Sequence, residues 1–236
     1  MLLLAFESSA KSASVALLRD GNLLGEYFQN SGQTHSRTLL KMAEDLLKNC
    51  DLQVSDLQAA AVANGPGSFT GLRIGIAAAK GLAWGREIPC VGVSTLEAMA
   101  LGAPVCDGVL VCCMDARRDQ VYNALFEKEN GKLTRLTEDR AISVAELEAE
   151  LKNIEKEKFL VGDGALVCYN TVSDNSCLRL LPEHLRYQRA SGVALAAQKK
   201  LESGEYADAA SMVPNYLRMS QAEREREKKL QQKCEV

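Results

Sequence analysis

Two histidines, His35 and His184, stand far apart in a chain of 236 residues. No H-E-x-x-H or H-x-x-x-H pattern occurs, so no helix can aim two imidazoles at one ion from positions i and i+4. Nucleophilic hydrolysis lacks its marker as well. There is no G-x-S-x-G elbow, and the candidates for a base are few. No G-x-x-x-x-G-K-[ST] loop is present, and Gly65, Gly67 and Gly71 overshoot the dinucleotide spacing by one residue. Basic residues do not predominate: 28 Lys and Arg face 31 Asp and Glu, giving a net charge of −3. That balance leaves no chain-wide footprint for nucleic acid, so any RNA contact needs a local patch or a partner. Aromatics are only 5% of the chain, which leaves alanine and leucine to build the core. No apolar run approaches a membrane span, and Met1 to Phe6 stops at Glu7, too short for the core of a signal peptide. The eight cysteines form no C-x-x-C pair, and vicinal Cys112 and Cys113 would face opposite sides of a strand. Reduced, structural thiols in a cytoplasmic protein are expected, not disulfides or a metal centre.

What the chain does have is an internal repeat. Periodicity places strands at 2–6, 13–18 and 23–29, a helix at 36–49, a strand at 59–63, and a helix ending near Gly85. A short strand at 90–93 and a helix after Ser94 complete this half. Strands at 109–114, 120–127 and 132–137 then repeat the order, followed by a helix at 143–153 and a strand at 159–161. Helices near 165–173 and 191–203 flank a last strand at 177–181. Matching landmarks (Glu7 and Asp115, Gly21 and Gly131, Ser36 and Ser143, Gly65 and Gly162) are offset by roughly 97 to 110 residues. The expected fold is α/β, two βββαβα halves, each a mixed sheet with helices on its faces. The halves are placed at 1–103 and 104–218, with a charged tail at 219–236 that is helical or disordered. Such a duplication resembles the actin, sugar-kinase and heat-shock ATPase superfamily, a ribonuclease H-like fold. In that superfamily the first hairpin loop of each half holds nucleotide phosphates across a cleft. The matching positions are Glu7, Ser8 and Ser9 in one half and Asp115 in the other.

The run Gly65-Pro66-Gly67-Ser68-Phe69-Thr70-Gly71-Leu72-Arg73-Ile74-Gly75 follows a strand and opens a helix. Backbone N–H groups at such a helix start either attract an anion or dock another backbone. Ser68 and Thr70 read as helix-start hydroxyls. Along the helix, Gly71, Gly75 and Ala79 make a flat ridge flanked by Leu72 and Ile76. Interior glycine costs about 1 kcal/mol of helix propensity, so something must approach closely. Leu39, Ala43, Leu46 and Leu47 form a companion stripe on the preceding helix. The two stripes cover either the chain's own sheet or a second protein, and a shared partner interface is the expectation carried forward.

The Gly65–Gly75 run, with Glu7-Ser8-Ser9, His35-Ser36, Asp115-Ala116-Arg117-Arg118, Gly162-Asp163-Gly164 and Pro214-Asn215-Tyr216-Leu217-Arg218, resembles the bacterial TsaB (YeaZ) family. That resemblance implies a non-catalytic subunit, inactive alone, that dimerises with its catalytic relative TsaD and works with the ATPase TsaE. The complex moves a threonylcarbamoyl group onto the adenosine 3′ of the anticodon in tRNAs reading codons that begin with A. It further implies a homodimer when the chain is alone, tRNA met only indirectly through the complex, and no membrane partner. No cofactor is implied on this chain alone, with ATP or ADP bound only in the complex. No catalytic or metal-binding residue is expected. Two other readings are a stand-alone ATP-dependent kinase or hydrolase using Glu7 and Asp115, and a glycoprotease-like peptidase. Family members usually carry Asp where Glu7 stands, which weakens a metal role for that position.

Overall fold

The computed structural model describes residues 1–105, 107–173 and 177–218; the expected charged tail lies outside the described residues. The first half runs β1 (Leu2–Glu7), β2 (Ala13–Arg19), β3 (Asn22–Gln29), α1 (His35–Asn49), β4 (Ala59–Gly65), α2 (Phe69–Arg86), β5 (Cys90–Ser94) and α3 (Thr95–Gly102). Its sheet has the order β3-β2-β1-β4-β5, with β1 antiparallel to β2 and parallel to β4. Every residue of β1 is buried, because the strand is central and covered on both faces. A strand buried on both faces reads as a continuous apolar run instead of an alternation.

The second half runs β6 (Gly108–Arg117), β7 (Gln120–Glu129), β8 (Lys132–Arg135), β9 (Arg140–Ser143), α4 (Val144–Leu151), β10 (Lys158–Val161), α5 (Ala165–Thr171), β11 (Leu178–Leu180), α6 (Glu183–Arg186) and α7 (Ala190–Glu202). Its sheet has the order β11-β10-β6-β7-β8, and β9 also pairs with β7. The α4 start is a capping box: the Ser143 hydroxyl accepts from the Glu146 N–H while the Glu146 carboxylate accepts from the Ser143 N–H.

Packing does not follow the boundary at 103/104. Ala190, Val193, Ala194 and Ala197 of α7 bury against Leu3 and Ala5 of β1 and Ala61 of β4, so the last helix returns to the first sheet. In exchange, Leu96 and Met99 of α3 join Leu110, Cys112 and Met114 of β6. The chain beyond α7 then straps the first half. Ala207 bridges to Cys90, and the Lys80 ammonium donates to the carbonyls of Ala210 (3.0 Å) and Met212 (3.1 Å). Asn215 N–H donates to the Asn64 carbonyl at 2.7 Å. Arg218 reaches the other half, donating to the Ala116 carbonyl at 2.7 Å.

Candidate functional site

The strand ends that face each other across the two sheets carry Glu7-Ser8-Ser9 after β1, the glycine-rich loop after β4, Asp115 near the end of β6, and Gly162-Asp163-Gly164 after β10. The glycine-rich loop docks a backbone. Ser68 N–H donates to the Ser9 carbonyl at 2.7 Å, and the Ser68 hydroxyl accepts from Gly71 N–H as the N-cap of α2. The Ser8 hydroxyl donates to the Gly71 carbonyl at 2.9 Å. A Cβ on Gly71 would overlap the Ser8 carbonyl oxygen, and one on Gly75 would lie 2.5 Å from Ser8 Oγ and 3.2 Å from Val62 Cγ2. The close approach that these glycines permit is therefore within the chain.

That arrangement corrects two expectations. Glu7, Ser8 and Ser9 are sealed from solvent under the glycine-rich loop, so of the four residues expected to meet a nucleotide only Asp115 is exposed. Asp115 itself accepts from Arg117 N–H at 2.7 Å. With the Ser68 N–H at the start of α2 already bonded to Ser9, these residues do not fit a phosphate group on this chain. The second correction concerns the stripes. Leu39, Ala43, Leu46 and Leu47, with Ile76 and Ala79, bury against Leu4, Phe6, Val15 and Leu17 in the chain's own core. Leu72, Gly71 and Gly75 are buried too. Central β1 needs both faces covered, and α1 and α2 cover one of them. The face those helices leave open carries Leu40 (60% exposed), half-buried Ile74, exposed Ala77 and Gly81, and Trp84 (66% exposed). Leu40 adjoins the α1 stripe in sequence, and Trp84 is the chain's one tryptophan at a helix end; both were readable signals.

The buried polar centre includes residues that sequence reasoning did not single out. Glu7 Oε1 accepts from Ser9 N–H at 2.6 Å and from the Ser9 hydroxyl, while Oε2 has no partner among the described residues. Burial pushes the Glu7 carboxyl up to about 7, the Ser9 hydrogen bonds oppose that, and the charge of Asp163 adds to it. Asp163 is also raised, by burial first, and accepts from Gln188 Nε2 at 2.7 Å. Gln188 is buried, and its Oε1 has no partner among the described residues. Asp163 sits in the Gly162-Asp163-Gly164 loop, but nothing in the sequence points to Gln188, which a distant turn delivers. Among the described residues, no three His, Cys, Asp or Glu side chains converge as a metal-ligand set. His35 caps the first loop instead, its Nε2 lying 2.7 Å from the Ala10 carbonyl. Chemically, the arrangement raises a buried carboxyl toward neutrality and bonds it to its own loop.

A pH dependence follows from the sign of that shift. The folded chain binds the Glu7 proton more tightly than the unfolded chain, so this group's contribution to stability is fully present below the ordinary carboxylate range and is lost as pH rises toward 7. The loss is on the order of 3 kcal/mol at about 1.4 kcal/mol per unit. Urea midpoints at pH 5 and pH 8 should differ accordingly, and Glu7→Gln should remove the larger part of the difference. Equal midpoint differences in the two proteins would show that Glu7 carries no such shift.

A family model described as TsaD, tRNA N6-adenosine threonylcarbamoyltransferase, matches residues 25–226. The chain is 33% identical to the tRNA threonylcarbamoyladenosine biosynthesis protein TsaB of Bacillus subtilis, over 94% of this chain and 96% of that one. Among solved structures, YeaZ from Pseudomonas aeruginosa superposes with a TM-score of 0.75 at 26% identity, covering 92% of this chain and 99% of that chain. Component A of the Acidaminococcus fermentans (R)-2-hydroxyglutaryl-CoA dehydratase shares the fold, with a TM-score of 0.52 at 14% identity over 86% of this chain and 99% of that chain.

Proposed function

This chain belongs to the TsaB family, and from that premise we propose that it is the non-catalytic dimerisation subunit of the threonylcarbamoyladenosine machinery. In this reading it binds the TsaD homologue, works with the TsaE homologue, and supports transfer of threonylcarbamoyl to the adenosine 3′ of the anticodon. It forms a homodimer when alone. The observation that carries the non-catalytic part is the sealed first loop. Glu7, Ser8 and Ser9, the positions that would meet phosphates in a nucleotide-using relative, lie beneath the chain's own glycine-rich loop. The chemistry then resides on the partner, and any nucleotide belongs to the assembled complex.

The partner surface we assign is the open face of α1 and α2: Leu40, Ile74, Ala77, Gly81 and Trp84. Short side chains at 77 and 81 let a second helix lie close, and a Cβ on Gly81 meets nothing within 4 Å. Leu40 and Trp84 supply apolar anchors at the two ends of the face.

Depletion of the protein should remove threonylcarbamoyladenosine from tRNAs reading codons that begin with A, as measured by mass spectrometry of digested tRNA. The TsaD homologue should co-purify with the tagged chain. Normal modification after depletion would sink the assignment, and robust ATP turnover abolished by Asp115→Ala would favour the stand-alone kinase or hydrolase reading.

A further inference from the structure

Four arginines beside the strap and the β6–β7 turn are used by neither the core nor the partner face. The strap and the two halves bring them together. Arg73, on the second turn of α2, lays its guanidinium over Phe69 with Cζ 4.1 Å from the ring centroid. Phe69 stacks on Tyr216 at 4.2 Å between centroids, 14° from parallel, and Arg73 Nε donates to the Tyr216 hydroxyl at 2.9 Å. Two residues further on, Arg218 crosses to the Ala116 carbonyl and so abuts the β6–β7 turn. That turn presents Arg117 and Arg118, both exposed.

Its backbone is costly. Arg117, Arg118 and Asp119 take φ values of 63°, 57° and 56°, three successive non-glycine residues in the left-handed region. Each costs about 1–2 kcal/mol relative to a right-handed conformation, which glycine would largely relieve. Among the described residues, none of the four arginines pairs with a carboxylate, although six other arginine or lysine side chains in the second half do. Unpaired guanidinium groups beside a half-exposed aromatic stack are the elements of a surface for unpaired nucleotides, with phosphates held by arginine and bases stacked on flat side chains.

We propose that the ridge of Phe69, Arg73, Tyr216, Arg218, Arg117 and Arg118 is a direct contact surface for a single-stranded RNA loop. The inference rests on the family reading for its choice of RNA, and it departs from the expectation that RNA is met only through the complex. A net charge of −3 does not oppose it, because four arginines lie along this ridge against the two exposed carboxylates of the turn, Asp115 and Asp119.

The test uses fluorescence anisotropy of the full chain alone with a labelled unmodified tRNA and its anticodon stem-loop at several salt concentrations. The wild-type chain should bind both RNAs, with log affinity falling linearly in log salt. Arg117→Gly/Arg118→Gly should weaken binding about tenfold and lower the salt slope by about 1.4, as for two lost phosphate contacts. The same variant should keep or raise the melting temperature, since it relieves the turn. Arg19→Ala/Lys132→Ala, two exposed cations at the opposite ends of the sheets, removes the same charge and should leave binding near wild type. Absence of salt-dependent binding by the wild-type chain, or equal losses in the two double variants, would overturn the proposal. Unchanged RNA binding with lost association to the TsaD homologue would also overturn it, making the ridge a protein interface. Association with the TsaD homologue is read in a separate pull-down of the same variant; the anisotropy arm contains no partner, so its result is independent of whether depletion removes the modified base.

Discussion

Gly71→Ala should destabilise the folded chain by about 3 kcal/mol or more, at the upper end of overpacking costs, because its methyl group would meet a backbone carbonyl that cannot yield. The Ser8 carbonyl is fixed from both sides: Ser8 Oγ bonds to Gly71, and the next carbonyl, of Ser9, accepts from Ser68. Relief would require β1 and α2 to separate, and with them Phe6, Val62 and Ile76, which share the same core cluster. Gly75→Leu should act in the same direction through Ser8 Oγ and Val62. The internal control is Gly81→Ala on the same helix, where the new Cβ meets open space. That change should stabilise the chain by up to about 1 kcal/mol, the propensity difference between glycine and alanine in a helix interior. Denaturant unfolding of the three variants measures all of this at once. Gly71→Ala with a wild-type midpoint would mean that the loop does not clamp β1 to α2.

Those glycines also show where sequence reasoning stops. The duplicated order of strands and helices was legible because hydrophobic period and turn residues are local signals. Asp20-Gly21 and Asn130-Gly131 mark the turns between β2 and β3 and between β7 and β8, and glycine takes positive φ at both turns. The Ser68 cap was legible for the same reason. Strand β9 was not: four residues, Arg140–Ser143, extend only because β7 offers them an edge. The return of α7 to the first sheet was also hidden, since a buried helix face of alanine, glycine and one valine fits any close-packed surface. A small-residue ridge states that something approaches closely but carries no information on what does. Here it is Ser8, sixty-odd positions earlier in the chain, and only the fold brings the two together. The stripe on α1 misled in the same way, because an apolar face earns its burial equally from a sheet and from a partner. The partner face was legible only as an anomaly: leucine and tryptophan placed where their own helix cannot bury them.

That anomaly supplies the second large effect. Trp84→Ala should weaken association with the TsaD homologue by about 2–4 kcal/mol, as expected of a tryptophan anchor in an interface. Ala77→Arg should abolish association, since a long charged side chain in the middle of a helix–helix contact both separates the helices and buries an unpaired charge. Neither change touches the core. Both positions are exposed in the single chain, so melting temperatures should stay within a degree or two of wild type. Lys48→Ala, an exposed cation on the solvent side of α1, should shift affinity by less than about 1 kcal/mol. Titration calorimetry with the purified partner reads the three affinities, and sedimentation of the chain alone reads the homodimer. If one face serves both assemblies, Ala77→Arg should leave a folded monomer that binds neither. A variant that keeps full affinity for the partner would place the interface elsewhere on the chain, and the open face of α1 and α2 would lose its assigned role.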